Sequence, residues 1–428
     1  MLFEHIAVLA ESMEILEDQY VLVQGKRIAS MGAAAPNGYA GARYDGRGKL
    51  LMSGFFNAHA HTPMTLMRGY GENLDLHSWL HQMIFPFEAQ MRGEDAYWGT
   101  MLGIAESLRF GIVSTTDMYD FCDEMARAFI ETGMKANIGR ALTVFDDRDM
   151  KELISFQEAE ALVRDFHGAG EGRILVDASL HAEYTSTPKV VRQLAEWAKA
   201  QGLRMHVHVS ETKSEVEGCI ARRGMTPPAY LNSLGLFDVP TTAAHCVWLQ
   251  GDDFALMAEK GVTVASCPAS NLKLASGVLN MPALLRAGVP VALGTDSVAS
   301  NNNLNYIGEM RLFALLHKGI WRDPTLIAPQ DALRAATTAG ALSQGRADSG
   351  RVAVGCAADL IVLDLNAPQM QPVHHLANNL VYSATGSEVC LTMVDGRVLY
   401  KDGEYLTLDI EKVQYEASRA AHAVLKRL

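Results

Sequence analysis

The chain has 428 residues, of which 49% are hydrophobic and 20% charged, so it is long enough for one large barrel and a smaller partner domain. A formal net charge of −12 argues against a nucleic-acid polymer or an anionic membrane surface as the main partner, because both repel an acidic protein. The six cysteines are scattered without a CxxC pair, which indicates reduced thiols. The acidic N-terminus does not look like a secretory signal, and the apolar runs are too short to span a bilayer. We therefore expect a cytoplasmic protein with no membrane partner.

Residues 1–50 read as short strands and turns, with a hairpin at Gly25. Eight apolar strands then alternate with helical stretches as far as about residue 345. This alternation predicts an α/β fold, a parallel (β/α)8 TIM barrel over residues 51–345. The predicted strands lie at 51–59, 111–118, 135–144, 173–182, 204–211, 241–249, 262–270 and 289–297.

After residue 345 the pattern returns to glycine-punctuated strand pairs like those of the N-terminal segment. We therefore predict that residues 1–50 and 346–428 combine into one small β-sandwich domain beside the barrel. The final stretch, "IEKVQYEASRAAHAVLKRL", has the pattern of an amphipathic helix and is expected to pack against the body of the protein.

Polar residues that can bind a metal end several of the predicted strands. His59 and His61 are two apart on the first strand, so they share a face, which at the carboxyl end of a barrel strand looks into the mouth. A single histidine is more often a hydrogen-bonded core residue. The recurrence on other strands makes this explanation improbable for the whole group: His206, His208, Glu211, His245 and Asp296.

Three or four histidines with one aspartate suit Zn²⁺ or another divalent ion. A metal with an open position lowers the pKa of water from about 15.7 toward about 7. Glu211 would then be the nearby proton shuttle, with helix capping as the alternative role.

Long motifs in order, among them "GFFNAHAHTPMTLMRG", "HVHVSET", "AAHCVWL" and "GTDSVASNNNLN", make the chain resemble the amidohydrolase superfamily. Within it, the resemblance is to the branch of 5′-methylthioadenosine/S-adenosylhomocysteine deaminases. It implies one divalent ion per subunit, with Zn²⁺ favoured over Fe²⁺ or Mn²⁺. The ligands implied are His59, His61, His208 and Asp296.

The resemblance also implies the catalytic roles. Asp296 would accept a proton from the water, Glu211 would protonate the ring nitrogen beside the amino-bearing carbon, and His245 would orient the water. His206 shares a face with His208 but matches no family ligand. We expect it to hydrogen-bond to a metal ligand or to a carboxylate and so to fix its orientation.

For the substrate, the matching positions are Glu88 for the ribose hydroxyls, Trp79 as an apolar wall, and His181 at the end of the fourth strand. Arg140 and Arg148 would face a homocysteine carboxylate or a related tail, since arginine pairs well with carboxylates. Glu88 could instead be a solvated helix residue, and Arg148 a surface arginine among acids.

The resemblance implies hydrolytic deamination of an adenosine-type nucleoside to the inosine analogue and ammonia. Ser266 and a short loop after the third strand depart from the branch pattern and leave the exact substrate open. One alternative is a deaminase or chlorohydrolase of another heteroaromatic amine, guanine-like or an s-triazine. A more remote one is a non-catalytic structural relative. We expect a small-molecule nucleoside as the partner, and a homo-oligomer.

Overall fold

The computed structural model describes residues 1–428 and contains eighteen strands. In chain order these are β1 Leu2–Leu9, β2 Ile15–Gln24, β3 Arg27–Gly32, β4 Arg43–Asp45, β5 Lys49–Ser53, β6 Phe55–Ala60, β7 Ile112–Tyr119, β8 Lys135–Leu142, β9 Ile174–Val176, β10 Ala178–Leu180, β11 Met205–Val209, β12 Thr241–His245, β13 Thr263–Ser266, β14 Val291–Leu293, β15 Leu360–Asp364, β16 Val389–Val394, β17 Arg397–Lys401 and β18 Glu404–Tyr405. They form two sheets, one of which closes into a barrel.

The helices cover the barrel and connect its strands. They are α1 Leu76–Trp79, α2 Phe85–Glu88, α3 Gly93–Arg109, α4 Cys122–Thr132, α5 Ile154–Phe166, α6 Ala169–Gly172, α7 Pro188–Gln201, α8 Lys213–Arg223, α9 Pro227–Ser233, α10 Asp253–Glu259, α11 Pro268–Lys273, α12 Met281–Ala287, α13 Val298–Asn301, α14 Tyr306–Trp321, α15 Pro329–Ala336, α16 Thr338–Ser343, α17 Leu376–Tyr382 and α18 Ile410–Leu425. A π-helical turn at Leu80–Ile84 joins α1 to α2. Short 3₁₀ turns lie at Thr62–Met67, Met150–Glu152, Glu183–Thr185, Leu236–Asp238 and Pro368–Met370.

The parallel sheet runs from β6 to β14 in chain order and closes on itself, which confirms the predicted barrel. The closure joins Ala60 of β6 to Asp296 just after β14, and the amides of Thr295 and Asp296 donate to the carbonyl of His59 at 3.1 and 3.0 Å. The fourth predicted strand forms in two pieces, β9 and β10. The closing hydrogen bonds therefore bring the first and last strand ends together at the mouth.

The predicted first barrel strand, residues 51–59, is wrong as a single element. The chain instead leaves one sheet and enters the other at Gly54, so that β5 belongs to the chain-end sheet and only β6 to the barrel. A Cβ atom on Gly54 would lie 2.2 Å from Cγ1 of Val113. Only glycine fits this crossing point, and β5 extends the chain-end sheet past residue 50.

The chain-end sheet has the order β18-β17-β16-β15-β5-β1-β2-β3, with β4 beside β1. Side chains alternate between its two faces. Leu51 and Val362 lie in a small core of its own, whereas Leu50 and Ile361 join the large barrel core. One face of the sheet therefore encloses its own core and the other packs on the barrel.

The last helix, α18, packs against α3, as the amphipathic pattern predicts. Val413 and Val424 are buried on its inner face. Arg427 reaches Asp95 at 2.5 Å. Across the whole chain, the helices fall short of the length and apolar character that a membrane crossing demands.

Candidate active site

A cavity of about 370 Å³ opens at the carboxyl ends of the barrel strands. Most of the residues that the sequence singles out line it, together with apolar side chains from the α1–α2 segment. The predicted residues in its wall are His61, Trp79, Glu88, Arg140, His181, His208, Glu211, His245 and Asp296. His59 and His206 are fully buried beneath it.

The predicted metal ligands converge on one point. Nε2 of His59 and Nε2 of His61 each lie 3.3 Å from Oδ1 of Asp296. Nε2 of His208 lies 3.4 Å from Nε2 of His61. The ligand atoms fall into two overlapping groups, His59–His61–Asp296 and His59–His208–His245, and each group is close enough to hold an ion.

Backbone carbonyls orient two of these imidazoles. Nδ1 of His61 donates to the carbonyl of Met118 at 2.5 Å, and Nδ1 of His208 donates to the carbonyl of His181 at 2.7 Å. A carbonyl can only accept a hydrogen bond, so the proton lies on Nδ1 and the Nε2 lone pair faces the cluster. This is how metal-binding histidines are commonly held.

His59 is held by another histidine. Its Nδ1 lies 2.9 Å from Nε2 of His206, while its own Nε2 is buried and has no hydrogen-bond partner. A buried imidazole nitrogen without a partner is costly unless something binds it. The donor set, three imidazoles and one carboxylate around this unpartnered atom, fits a divalent ion such as zinc.

Two serines fix the carboxylate of Asp296. The hydroxyls of Ser270 and Ser300 donate to Oδ2, the latter at 2.8 Å, which leaves Oδ1 for the histidines. Although burial opposes ionisation, the adjacent imidazoles of His59 and His61 hold the pKa of Asp296 well below its usual range. Neither serine was predicted from the sequence, because the motifs that contain them drew attention only to the metal-binding residue types.

Glu211 and His245 face each other beside the ligand cluster. Oε2 of Glu211 lies 3.8 Å from Nε2 of His245, whose Nδ1 donates to Oδ1 of Asn271 at 2.8 Å. Ser276 donates to Oε1 of Glu211 at 3.4 Å. Burial raises the pKa of Glu211, which favours a carboxyl that carries a proton.

A second buried glutamate, Glu215 on α8, was missed from the sequence. Its two carboxylate oxygens accept the amide N–H groups of Ser210 and Glu211, each at 2.8 Å. Ser210 has a φ of +50°, a strained conformation for a residue with a side chain. Glu215 thus holds the turn from which Glu211 projects.

The helical segment that carries Trp79 and Glu88 lines another part of the cavity wall. The π-helical turn between them changes the helix period, a distortion that is frequent at functional sites. Burial raises the pKa of Glu88 to about 7, and Tyr119 partly opposes the shift. His181 donates to or accepts from Oγ1 of Thr185 at 3.0 Å, and burial lowers its pKa to about 4.

The two predicted arginines are placed differently. Arg140 lines the cavity but is paired with Asp120 at 2.5 Å and with Glu158 at 2.6 Å. Arg148 is half exposed, pairs with Asp146, and lies outside the cavity wall. The turn after β8 directs the Arg148 side chain to its neighbour Asp146, a placement that favours the alternative of a surface arginine, and a contact with substrate stays a prediction.

Residues 50–399 match the Amidohydrolase family, and the chain belongs to that family. It is 42% identical to a 5-methylthioadenosine/S-adenosylhomocysteine deaminase of Dictyoglomus thermophilum, over 90% of this chain and 89% of the relative. It is 39% identical to a 5'-deoxyadenosine deaminase of Methanothermobacter thermautotrophicus, over 95% of this chain and 94% of the relative. The crystal structure of a zinc-bound adenosine deaminase from Xanthomonas campestris superposes with a TM-score of 0.93 at 34% identity, covering 99% of this chain and 98% of the other. The resemblance inferred from the motifs is therefore confirmed.

Proposed function

We propose that the protein is a metal-dependent hydrolase that converts an adenosine-type nucleoside to the inosine analogue and ammonia. We further propose that the metal is one zinc ion per subunit, held by His59, His61, His208 and Asp296. The two relatives described above are named as deaminases of such nucleosides, and one structural neighbour contains zinc. The observation that carries the proposal is the approach of Glu211 to His245 at 3.8 Å beside the four ligands.

When bound, the ion would supply the Lewis acidity that makes water nucleophilic near neutral pH. His245, fixed through Nδ1 by Asn271, would orient the water with Nε2. Asp296 would accept a proton from that water. Glu211, whose pKa burial raises, would donate its proton to the ring nitrogen and make the adjacent carbon electrophilic.

Glu88 is the residue that favours a nucleoside over a free base or a triazine. It lines the cavity beside Tyr119, and this is where we place the ribose. A carboxylate can accept hydrogen bonds from the two neighbouring hydroxyls of a ribose. Guanine and s-triazines have no such pair of hydroxyls. The complete ligand set argues against a non-catalytic relative, because a structural protein has no need of it.

An ammonia-release screen of the zinc-loaded protein tests this function. It compares adenosine, 5′-deoxyadenosine, methylthioadenosine and S-adenosylhomocysteine with guanine and a melamine-type compound. We expect ammonia only from the nucleosides. Turnover of guanine or melamine alone would move the function to another heteroaromatic amine, and no turnover of any compound would leave the structural alternative.

Replacement of the proposed general acid separates chemistry from metal binding. Glu211→Gln should lower kcat about 100- to 10,000-fold while zinc content, measured by atomic emission, stays at one per subunit. The matched control is Glu217→Gln, because Glu217 is an exposed glutamate on α8, the helix that follows Glu211. Loss of zinc in Glu211→Gln would contradict the assigned role, because the residue would then be a ligand.

We also propose that the protein is a cytoplasmic homo-oligomer and that its domains divide near residues 50 and 345. The pairing of β5 with β1 and β15 supports joining the two chain ends, with a boundary a few residues later than predicted. Light scattering on the purified protein tests the oligomeric state, and a monomeric mass would refute it.

A further inference from the structure

The cavity wall near Glu88 carries an arginine, Arg140, whose charge is already paired with two carboxylates. Nη1 of Arg140 lies 2.5 Å from Oδ1 of Asp120, and Nε lies 2.6 Å from Oε2 of Glu158. Nη1 also donates to the carbonyl of Ala141 at 2.9 Å. One cation against two anions leaves this triad (Arg140, Asp120 and Glu158) with a formal net charge of −1.

The triad lies on the ribose side of the cavity. Arg140 on β8 is the register partner of Tyr119 on β7, and Tyr119 adjoins Glu88. Glu211 follows β11 and Asp296 follows β14, so the proposed general acid and this ligand come from strands other than β7 and β8. A nucleoside with its base at Glu211 and its ribose at Glu88 would therefore direct its 5′ group toward the triad and the aromatic rings of Phe145 and Tyr184.

We propose, on the basis of the function proposed above, that Asp120 and Glu158 make the enzyme selective for adenosines whose 5′ group is uncharged or cationic. A substrate carboxylate would have to displace one acid from Arg140 and then lie beside the other. Like charges at that distance repel, and an arginine whose Nε and Nη1 are occupied cannot offer its two-pronged face. This disfavours a 5′ group that ends in a lone carboxylate relative to a methylthio group or a 5′-deoxy carbon.

Arg148 does not compensate. It pairs with Asp146 and lies outside the cavity wall, so this part of the chain brings no second arginine to the 5′ group. The apolar side chains near the mouth, including Phe145, suit a methyl or methylthio group.

A series of nucleosides that differ only in the charge of the 5′ group tests the proposal. The probes are methylthioadenosine, 5′-aminoethylthioadenosine and 5′-carboxyethylthioadenosine, with kcat/KM measured by ammonia release. We expect the carboxylate to be turned over at least about 10-fold less efficiently than the other two, which corresponds to one unfavourable charge contact. Equal or faster turnover of the carboxylate would overturn the proposal.

Two variants test which residues are responsible. In Glu158→Gln and in Asp120→Asn, the ratio of kcat/KM for the carboxylate to that for methylthioadenosine should rise, by about 10-fold, because Arg140 is released. Glu160→Gln, at an exposed position of α5 two residues further on, makes the same charge change without touching Arg140 and should leave the ratio unaltered. An unchanged ratio in both test variants would assign selectivity elsewhere, whereas no ammonia from any adenosine would refute the proposed function instead.

Discussion

Glu88, which we propose as the ribose-binding residue, destabilises the fold when it is ionised. Burial raises its pKa from 4.5 to about 7, so the unfolded chain releases this proton at lower pH than the folded one. As the pH rises from about 4.5 to about 7, the unfolded state is therefore favoured progressively, and the full penalty is present above pH 7. The penalty is at most about 3 kcal/mol, from 1.36 kcal/mol per pKa unit.

Glu88→Gln should consequently raise the thermal midpoint at pH 8 but not at pH 4.5, and it should raise KM for methylthioadenosine because a neutral amide accepts ribose hydroxyls less well. Scanning calorimetry at the two pH values checks the first effect and ammonia-release kinetics the second. A stability gain of the same size at both pH values would mean that ionisation is not the cause.

Glu215 positions the proposed general acid, Glu211, through hydrogen bonds to the backbone. A glutamine at this position can accept only one of the two amides of Ser210 and Glu211, and its own NH₂ group would face the other. We expect Glu215→Gln to lower kcat by about 10- to 100-fold, with KM nearly unchanged. Glu217→Gln is the control here as well. Loss of activity through KM alone would exclude a role in orienting Glu211.

At the scale of elements, the decisive junction is Gly54 between β5 and β6. A methyl group there would meet Val113 at 2.2 Å, and either the strand or Val113 would have to move. Gly54→Ala should reduce the free energy of unfolding by about 1–3 kcal/mol, measured by urea denaturation.

The smaller side chain of Val113→Ala should offset part of that loss, so the two substitutions together should cost less than their sum. Gly32→Ala, on β3, is the matched control because no atom lies within 4 Å of its added Cβ. Strictly additive losses would show that the contact with Val113 is not what requires glycine.

At the scale of the molecule, a buried ion cluster joins the barrel to the chain-end sheet. Nζ of Lys135 on β8 lies 2.6 Å from Asp359 and 2.6 Å from Asp395, and the side chains of Lys135 and Asp359 are almost fully buried. Burial opposes ionisation of Asp359, but Lys135 holds the pKa of that carboxyl below its usual range. The pairing therefore links segments that are more than two hundred residues apart.

Lys135→Met should destabilise the protein by about 3–5 kcal/mol, because the buried carboxylate of Asp359 and the partly buried one of Asp395 lose their closest cation. Chemical denaturation followed by circular dichroism measures the loss, with exposed Lys151→Met as the control. Both sheets should lose stability in a single transition, and a loss below about 1 kcal/mol would show that the cluster contributes no more than a surface pair.

Local pattern predicted much of this molecule. Strand alternation placed His59 and His61 on one face, and the return of metal-competent residues at the ends of β11, β12 and β14 placed the cavity at one end of a barrel. These features follow from the two-residue period of a strand and from parallel strands that share one edge. They require no knowledge of distant contacts.

Other features arose only when distant segments met. The chain passes between the two sheets at Gly54, where the close contact with Val113 requires glycine. The ion pairing of Arg140 depends on Glu158, and the sequence does not show how the helix that carries Glu158 packs on the barrel. The same holds for Glu215, whose hydrogen bonds run to backbone rather than to any side chain that a motif displays. Residue types and spacing determine which groups can reach the mouth of the barrel, but ion pairing and close packing depend on distances across the fold, and only the tertiary structure sets those.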